Sequence, residues 1–301
     1  MNPFFLFLIV ILMIYVLVTL IVGRYLLYQD IFPRKIPNGK TELIGYDYKD
    51  IEFKGFDGIT LRGWFIRSHK NPSNKTVFLL PGWTRVRSKY INQINFFVDS
   101  GFHVFTYDQR SHGASDTGLE TYGPDEAKDL LEAIKYAGTF DYFDRNRIVA
   151  VGFSLGAFAI IYAAGNQAFK AVVLEGVASS SYDVGFELLA SKFGKVLATI
   201  IGNGVFKVGS LIWTLGKFRH SSPIGYVGGI SPTPVMIIRG EEDERVPSDS
   251  FMKFMEKVKE PKVIWVHAGR HTASYNQYPE EYSDKVVGFL NKYLDKDNSS
   301  A

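Results

Sequence analysis

Between residues 76 and 294, short apolar and β-branched runs take turns with segments of helical spacing, and this alternation limits the fold more than any other feature. The runs are "TVFLL" (76–80), "HVFTYD" (103–108), "RIVAVGF" (147–153), "AVVLEG" (171–176), "TPVMIIRG" (233–240) and "KVIWVHAG" (262–269). Helical patterns fall between them, over 88–101, 125–137, from Ser154 onward, over 248–259 and over 280–294. Strands joined through helices need long right-handed crossovers, so the expected fold is α/β, a mostly parallel central sheet flanked by helices on both faces. Ahead of this region "YDYKDIEF" and "ITLRGWFIR" meet at Asp57-Gly58, which predicts an antiparallel hairpin.

A chain of 301 residues with 46% hydrophobic content can bury one sizeable core, so a single α/β domain is expected. The net charge of +3, with no long Lys/Arg block, sets nucleic acid aside as a partner. There is no cysteine, which excludes disulfides, thiolate metal sites and a cysteine nucleophile.

From Phe4 to Val22 nineteen residues carry no charge. As a helix they would extend roughly 28 Å, about one hydrocarbon thickness. A cleaved secretory signal is the competing reading. However, only Met1 and Asn2 precede the run, and no A-x-A-like triplet follows it. We therefore expect a retained single-pass anchor over residues 1–23 and a juxtamembrane linker over 24–45, punctuated by Pro33, Pro37 and Asn38-Gly39. Arg24, Arg34, Lys35 and Lys40 lie after the span, so the positive-inside rule places the catalytic body in the cytoplasm, at the cell membrane. That body is expected over 46–294, with residues 295–301 a disordered tail.

One segment, about 178–230, interrupts the alternation. It shows no strand pattern and reads as two helical stretches around Gly202 to Gly204, a lid insertion over a site. From Gly185 to Arg219, Lys192, Lys195, Lys207, Lys217 and Arg219 stand against a single acid, Glu187, among Phe, Leu, Ile and Val residues. Such a basic amphipathic segment beside an anchor can rest on anionic headgroups and admit acyl chains. The alternative is a cap whose apolar face only covers the active-site mouth.

Chemistry concentrates at the carboxyl ends of the expected strands, where open parallel sheets collect ligands. Gly152, Phe153, Ser154, Leu155 and Gly156 form G-x-S-x-G between a strand and a helix. Small neighbours permit the tight turn that exposes a serine Oγ, and the helix N-terminus behind it favours an oxyanion. A plain helix N-cap is the bland alternative. A serine nucleophile needs a base, and the base needs orienting. Asp243 in "RGEEDERVP" is the acid candidate, with Glu241 and Glu242 as competitors; His271 in "GRHTASY" is the base candidate. Of the remaining histidines, His69, His103, His220 and His267 read as loop or strand residues. His112 in "DQRSHGAS" is the rival, although it precedes the serine in the chain.

In this order and spacing, "DQRSHGAS", "GFSLG", "GEEDERVP" and "GRHTASY" resemble the α/β-hydrolase superfamily, and most closely its membrane-anchored serine hydrolases. The resemblance implies Ser154 as nucleophile, Asp243 as triad acid and His271 as general base. It also implies an oxyanion hole from the backbone N–H groups of Leu155 and Trp83, although Pro81-Gly82 replaces the His-Gly of many relatives. Asp108, Arg110 and His112 match a motif whose implied role is structural support beneath the nucleophile. No metal or organic cofactor is implied. The expected activity is hydrolysis of carboxylic esters or thioesters, lipid-like acyl substrates included, through an acyl-enzyme. The alternatives are a serine peptidase or amidase of the same fold, and a non-catalytic hydrolase-fold binding protein. Few acidic residues in the lid to hold a free amine rank ester cleavage above peptide cleavage.

Overall fold

In the computed structural model, residues 2–30, 45–70, 74–166, 169–204 and 221–295 are described. Eight strands form one sheet: β1 (Asp47–Lys54), β2 (Thr60–Arg67), β3 (Thr76–Leu80), β4 (His103–Tyr107), β5 (Ile148–Phe153), β6 (Val172–Glu175), β7 (Val235–Gly240) and β8 (Lys262–His267). Their order is β1-β2-β4-β3-β5-β6-β7-β8. The hairpin β1-β2 is antiparallel and joins β4 antiparallel, whereas every pair from β4 to β8 is parallel. Strands β3 to β7 are buried along their whole length, which is why their sequences are nearly continuous Val, Ile, Leu, Phe and Ala; β1 and β8, at the edges, are largely exposed.

Side chains alternate between two cores. Phe78, Leu80, Phe105 and Ile237 point to one face, beneath α3 (Pro124–Ala137), α4 (Leu155–Ala164) and α7 (Ser248–Met255). Val77, Leu79, Val151 and Ile238 point to the other, beneath α2 (Ile91–Asp99) and the final helical stretch from Pro279 to Leu294. Helix α4 is apolar nearly all round and all but Tyr162 of it is buried, as a helix packed into the middle of the molecule must be. The last stretch contains a π-helical turn over Ser283–Val287.

Three boundaries differ from expectation. Helix α1 spans Pro3–Asp30, seven residues past the expected end of the anchor. The helix after β7 ends at Met255 rather than 259, because the chain tightens into turns (Val258 N–H to the Met255 carbonyl, 3.3 Å) ahead of Pro261. The insertion holds α5 (Ser181–Phe193) and α6 (Lys195–Gly204), parted by a further break at Gly194; α6 ends at Gly204, inside the expected break, and the stretch expected after it falls outside the described residues. Gly194 adopts φ +80, which favours a residue without Cβ. Gly202 and Gly204 lie in the last turn of α6, where it ends. The expected linker from residue 31 to 44, lid residues Lys207, Lys217 and Arg219, and the tail beyond Asp295 fall outside the described residues.

Candidate active site

The turn after β5 places Ser154 at φ 51, ψ −110, a region that L-residues seldom occupy. Neighbouring backbone holds it there: the Ser154 N–H donates to the Glu175 carbonyl (2.8 Å), and its own carbonyl accepts from Phe158 N–H (3.1 Å). A Cβ on Gly156 would stand 2.3 Å from the Leu80 carbonyl oxygen, so only glycine lets α4 start this close to β3. The Ser154 side chain makes no capping hydrogen bond, and among the described residues its Oγ has no partner.

Asp243 sits in the turn after β7, its N–H bonded to the Gly240 carbonyl (3.3 Å). One carboxylate oxygen accepts from the backbone N–H groups of Arg245 (2.9 Å) and Val246 (3.0 Å), and the other meets His271 Nδ1 at 2.8 Å. Burial works against this carboxylate, but the bond to His271 and the two backbone donors outweigh it and hold its pKa below the ordinary value. Because an ionised carboxylate only accepts, His271 donates from Nδ1, and Nε2 is the nitrogen left to face a substrate. Gly176 makes room for the ring: a Cβ there would lie 2.6 Å from His271 Cε1. Ser154 and His271 line one cavity of about 360 Å³, although Nε2 and Oγ are not hydrogen-bonded to each other here. Glu241 and Glu242, the competitors of Asp243, are exposed.

His112 is fully buried and both its ring nitrogens are engaged. Nδ1 meets the Arg110 carbonyl (2.9 Å), and Nε2 accepts from the Thr84 N–H (3.0 Å), so the imidazole is neutral; burial lowers its pKa. Thr84 follows Trp83, whose own backbone N–H has no partner among the described residues. Leu155 begins α4, where a helix leaves its first N–H groups unpaired. Asp108 accepts from the Arg87 N–H (2.8 Å), the Ala114 N–H (2.9 Å) and the Arg87 guanidinium. Arg110 makes a two-pronged pair with Asp129, both bonds 2.9 Å. Burial pushes the Asp129 carboxyl up to about 6 despite this pair.

Sequence reasoning missed Glu175. It ends β6 beneath the serine turn, fully buried, and its carboxylate accepts from Ser274 N–H (3.1 Å) and Ser274 Oγ (2.7 Å). Its main chain therefore holds the Ser154 turn while its side chain holds the loop that carries His271. Burial pushes its pKa up to about 7, against the Ser274 bonds and the pull of His271. The available signal was one carboxylate inside "AVVLEG", a run otherwise suited to a strand buried on both faces. Tyr90 was missed as well; its buried hydroxyl accepts from Gly82 N–H (3.1 Å) and pins the loop before Trp83.

The strand order, the antiparallel β2 within an otherwise parallel set, and a serine turn between β5 and α4 define an α/β hydrolase. Residues 88–297 match the prolyl oligopeptidase family, and the chain belongs to it. It is similar to protein YfhR of Escherichia coli, 24% identical over 259 residues that cover 83% of each chain. Among solved structures it resembles the Pyrococcus furiosus esterase Pf2001, with TM-score 0.71 and 25% identity over 88% of this chain and 98% of that one. It also resembles the Pyrococcus horikoshii acylaminoacyl peptidase, with TM-score 0.63 and 18% identity over 83% of this chain and 42% of the peptidase. The chain is a hydrolase of the α/β fold.

Proposed function

We propose that this chain is a membrane-anchored serine hydrolase that cleaves carboxylic esters or thioesters, lipid-like acyl substrates included, through an acyl-enzyme. One observation carries the reading: His271 Nδ1 lies 2.8 Å from a buried Asp243 carboxylate, and the same imidazole shares a cavity with a serine held at φ 51. Ser154 Oγ attacks the acyl carbonyl and gives its proton to His271 Nε2. Asp243 stabilises the resulting imidazolium, and the backbone N–H groups of Leu155 and Trp83 receive the oxyanion, each worth about 3 kcal/mol in the transition state. His271 then protonates the departing alcohol or thiol. Water repeats the sequence on the acyl-serine, giving its proton to His271 and releasing the acid. Asp108, Arg110 and His112 brace the loops beneath Ser154 without touching the substrate. The apolar helix Pro3–Ile21 supports a single-pass anchor, with the body on the cytoplasmic side by the charge that follows it.

Peptide or amide cleavage is the second reading, favoured by the family's name and the acylaminoacyl peptidase likeness. The cavity argues against a substrate with a free amine, since Glu244 is the one carboxylate among its described lining residues. A fluorophosphonate probe tests the nucleophile. Wild type is expected to label and Ser154→Ala to stay dark; equal labelling of the two, or none of wild type, sinks the assignment.

A further inference from the structure

The cavity that contains Ser154 and His271 is also lined by Arg85, Lys89, Arg245 and Arg270, against the single carboxylate of Glu244. That local excess of three positive charges equals the net +3 of the whole 301-residue chain. The mouth is thus positive in its own right, beside the positive stretches of the lid and of residues 24–45. Chain position explains the gathering. Arg270 directly precedes His271, Arg245 follows Asp243 by two residues, and Arg85 follows Trp83 by two; Lys89 lies one turn further on, in the 3₁₀ turn Arg87–Tyr90. The loops that carry Asp243, His271 and the oxyanion-hole residue Trp83 thus each also bring a cation.

None of these four side chains forms an ion pair among the described residues, and all four are exposed. Arginines that support structure in this protein look different: Arg87 and Arg110 are buried against Asp108 and Asp129. The four at the cavity are left with their donors open to whatever occupies it. Three are guanidiniums, whose planar donor fork matches carboxylate and phosphate oxygens and stays charged at any working pH.

We infer that this cavity selects anionic acyl substrates, in which a carboxylate or phosphate on the acyl or leaving group is held by Arg85, Lys89, Arg245 and Arg270 while the ester carbonyl lies at Ser154. This rests on the serine-hydrolase reading above and adds the substrate class. The anion can belong to a soluble ester or to a lipid headgroup; the chemistry that holds it is the same.

The test compares esters of one length that differ in charge, mono-4-nitrophenyl glutarate against 4-nitrophenyl valerate, on the full chain in detergent. The ratio of kcat/KM, anionic over neutral, is expected to exceed about tenfold in low salt. It should fall severalfold between 20 and 500 mM NaCl, as the Debye length shrinks from about 20 to about 4 Å. In Arg85→Gln/Lys89→Gln and in Arg245→Gln/Arg270→Gln the same ratio should drop at least fivefold; a ratio within one enzyme corrects for any loss of folded protein. Fatty-acid release from phosphatidylglycerol but not phosphatidylcholine vesicles assigns the anion to a lipid, and turnover of the soluble ester alone assigns it to a soluble substrate. A protein that labels at Ser154 yet shows a ratio of one or less, or a ratio unmoved by both double variants, overturns the anionic assignment and leaves the hydrolase reading standing. A protein that neither labels nor turns over either ester overturns both.

Discussion

His271 and His112 both occupy loops at the carboxyl edge of the sheet, and hydrogen bonding separates them. The His112 ring spends one nitrogen on the Arg110 carbonyl and the other on the Thr84 N–H, whereas His271 spends only Nδ1, on Asp243. His271→Ala is therefore expected to cut ester turnover by about 10⁴ or more at nearly unchanged melting temperature. His112→Ala strands the buried Arg110 carbonyl and the Thr84 N–H, a loss of about 2–4 kcal/mol that lowers the melting temperature by about 5–15 °C, while folded protein still takes the fluorophosphonate label. The reverse pattern would move the base to His112. The residues of this row were legible in sequence because each sits in a short loop directly after an apolar run, and the topology sends all such loops to one edge. Glu175 was not legible in the same way. A lone carboxylate in a strand carries no spacing rule, and its partner Ser274 lies 99 residues away.

Elements are tied together through that carboxylate. The end of β6 bonds the Ser154 turn by main chain and the start of the short helix Ser274–Gln277 by side chain, so a fault at Glu175 disturbs two catalytic loops at once. Its pKa, raised from about 4.5 to about 7 by burial, fixes the sign of a pH effect. The folded state binds more protons than the unfolded one between those values, so the contribution of this group is fully present below pH 4.5 and is lost as pH rises through 7. Glu175→Gln keeps an acceptor for Ser274 but cannot ionise. Urea unfolding should then show the variant gaining on wild type by about 2–3 kcal/mol between pH 4.5 and 8. A constant difference across that range would mean that Glu175 is ionised throughout. Most elements were foreseeable from periodicity, because strands buried on both faces admit few polar residues. The break between α5 and α6 was not. It depends on the sign of φ at Gly194, which composition does not report, whereas the pair of glycines eight and ten residues later coincides with the end of α6.

At the scale of the whole molecule, α1 meets the body through α6, where the Tyr15 hydroxyl donates to the Ile200 carbonyl (3.0 Å). Beside that contact Phe193, Val196, Leu197 and Ile200 turn apolar side chains outward, 77% exposed at Val196, next to Lys192 and Lys195. An exposed apolar face flanked by two lysines beside the proposed anchor is suited to contact lipid. The two attachments differ greatly in strength. Val196, Leu197 and Ile200 together offer about 4–6 kcal/mol if each is only partly withdrawn from water, which corresponds to a dissociation constant of about 0.1–1 mM in accessible lipid. Nineteen uncharged residues in a span amount to insertion that does not reverse. The full chain is thus expected to stay with membranes through carbonate extraction. A form starting after residue 30 should sediment with anionic vesicles only at millimolar lipid, and Val196→Asp/Ile200→Asp should abolish that residual binding. Release of the full chain by carbonate would mean that the helix does not span. Vesicle binding untouched by the two aspartates would place the lipid contact elsewhere on the body.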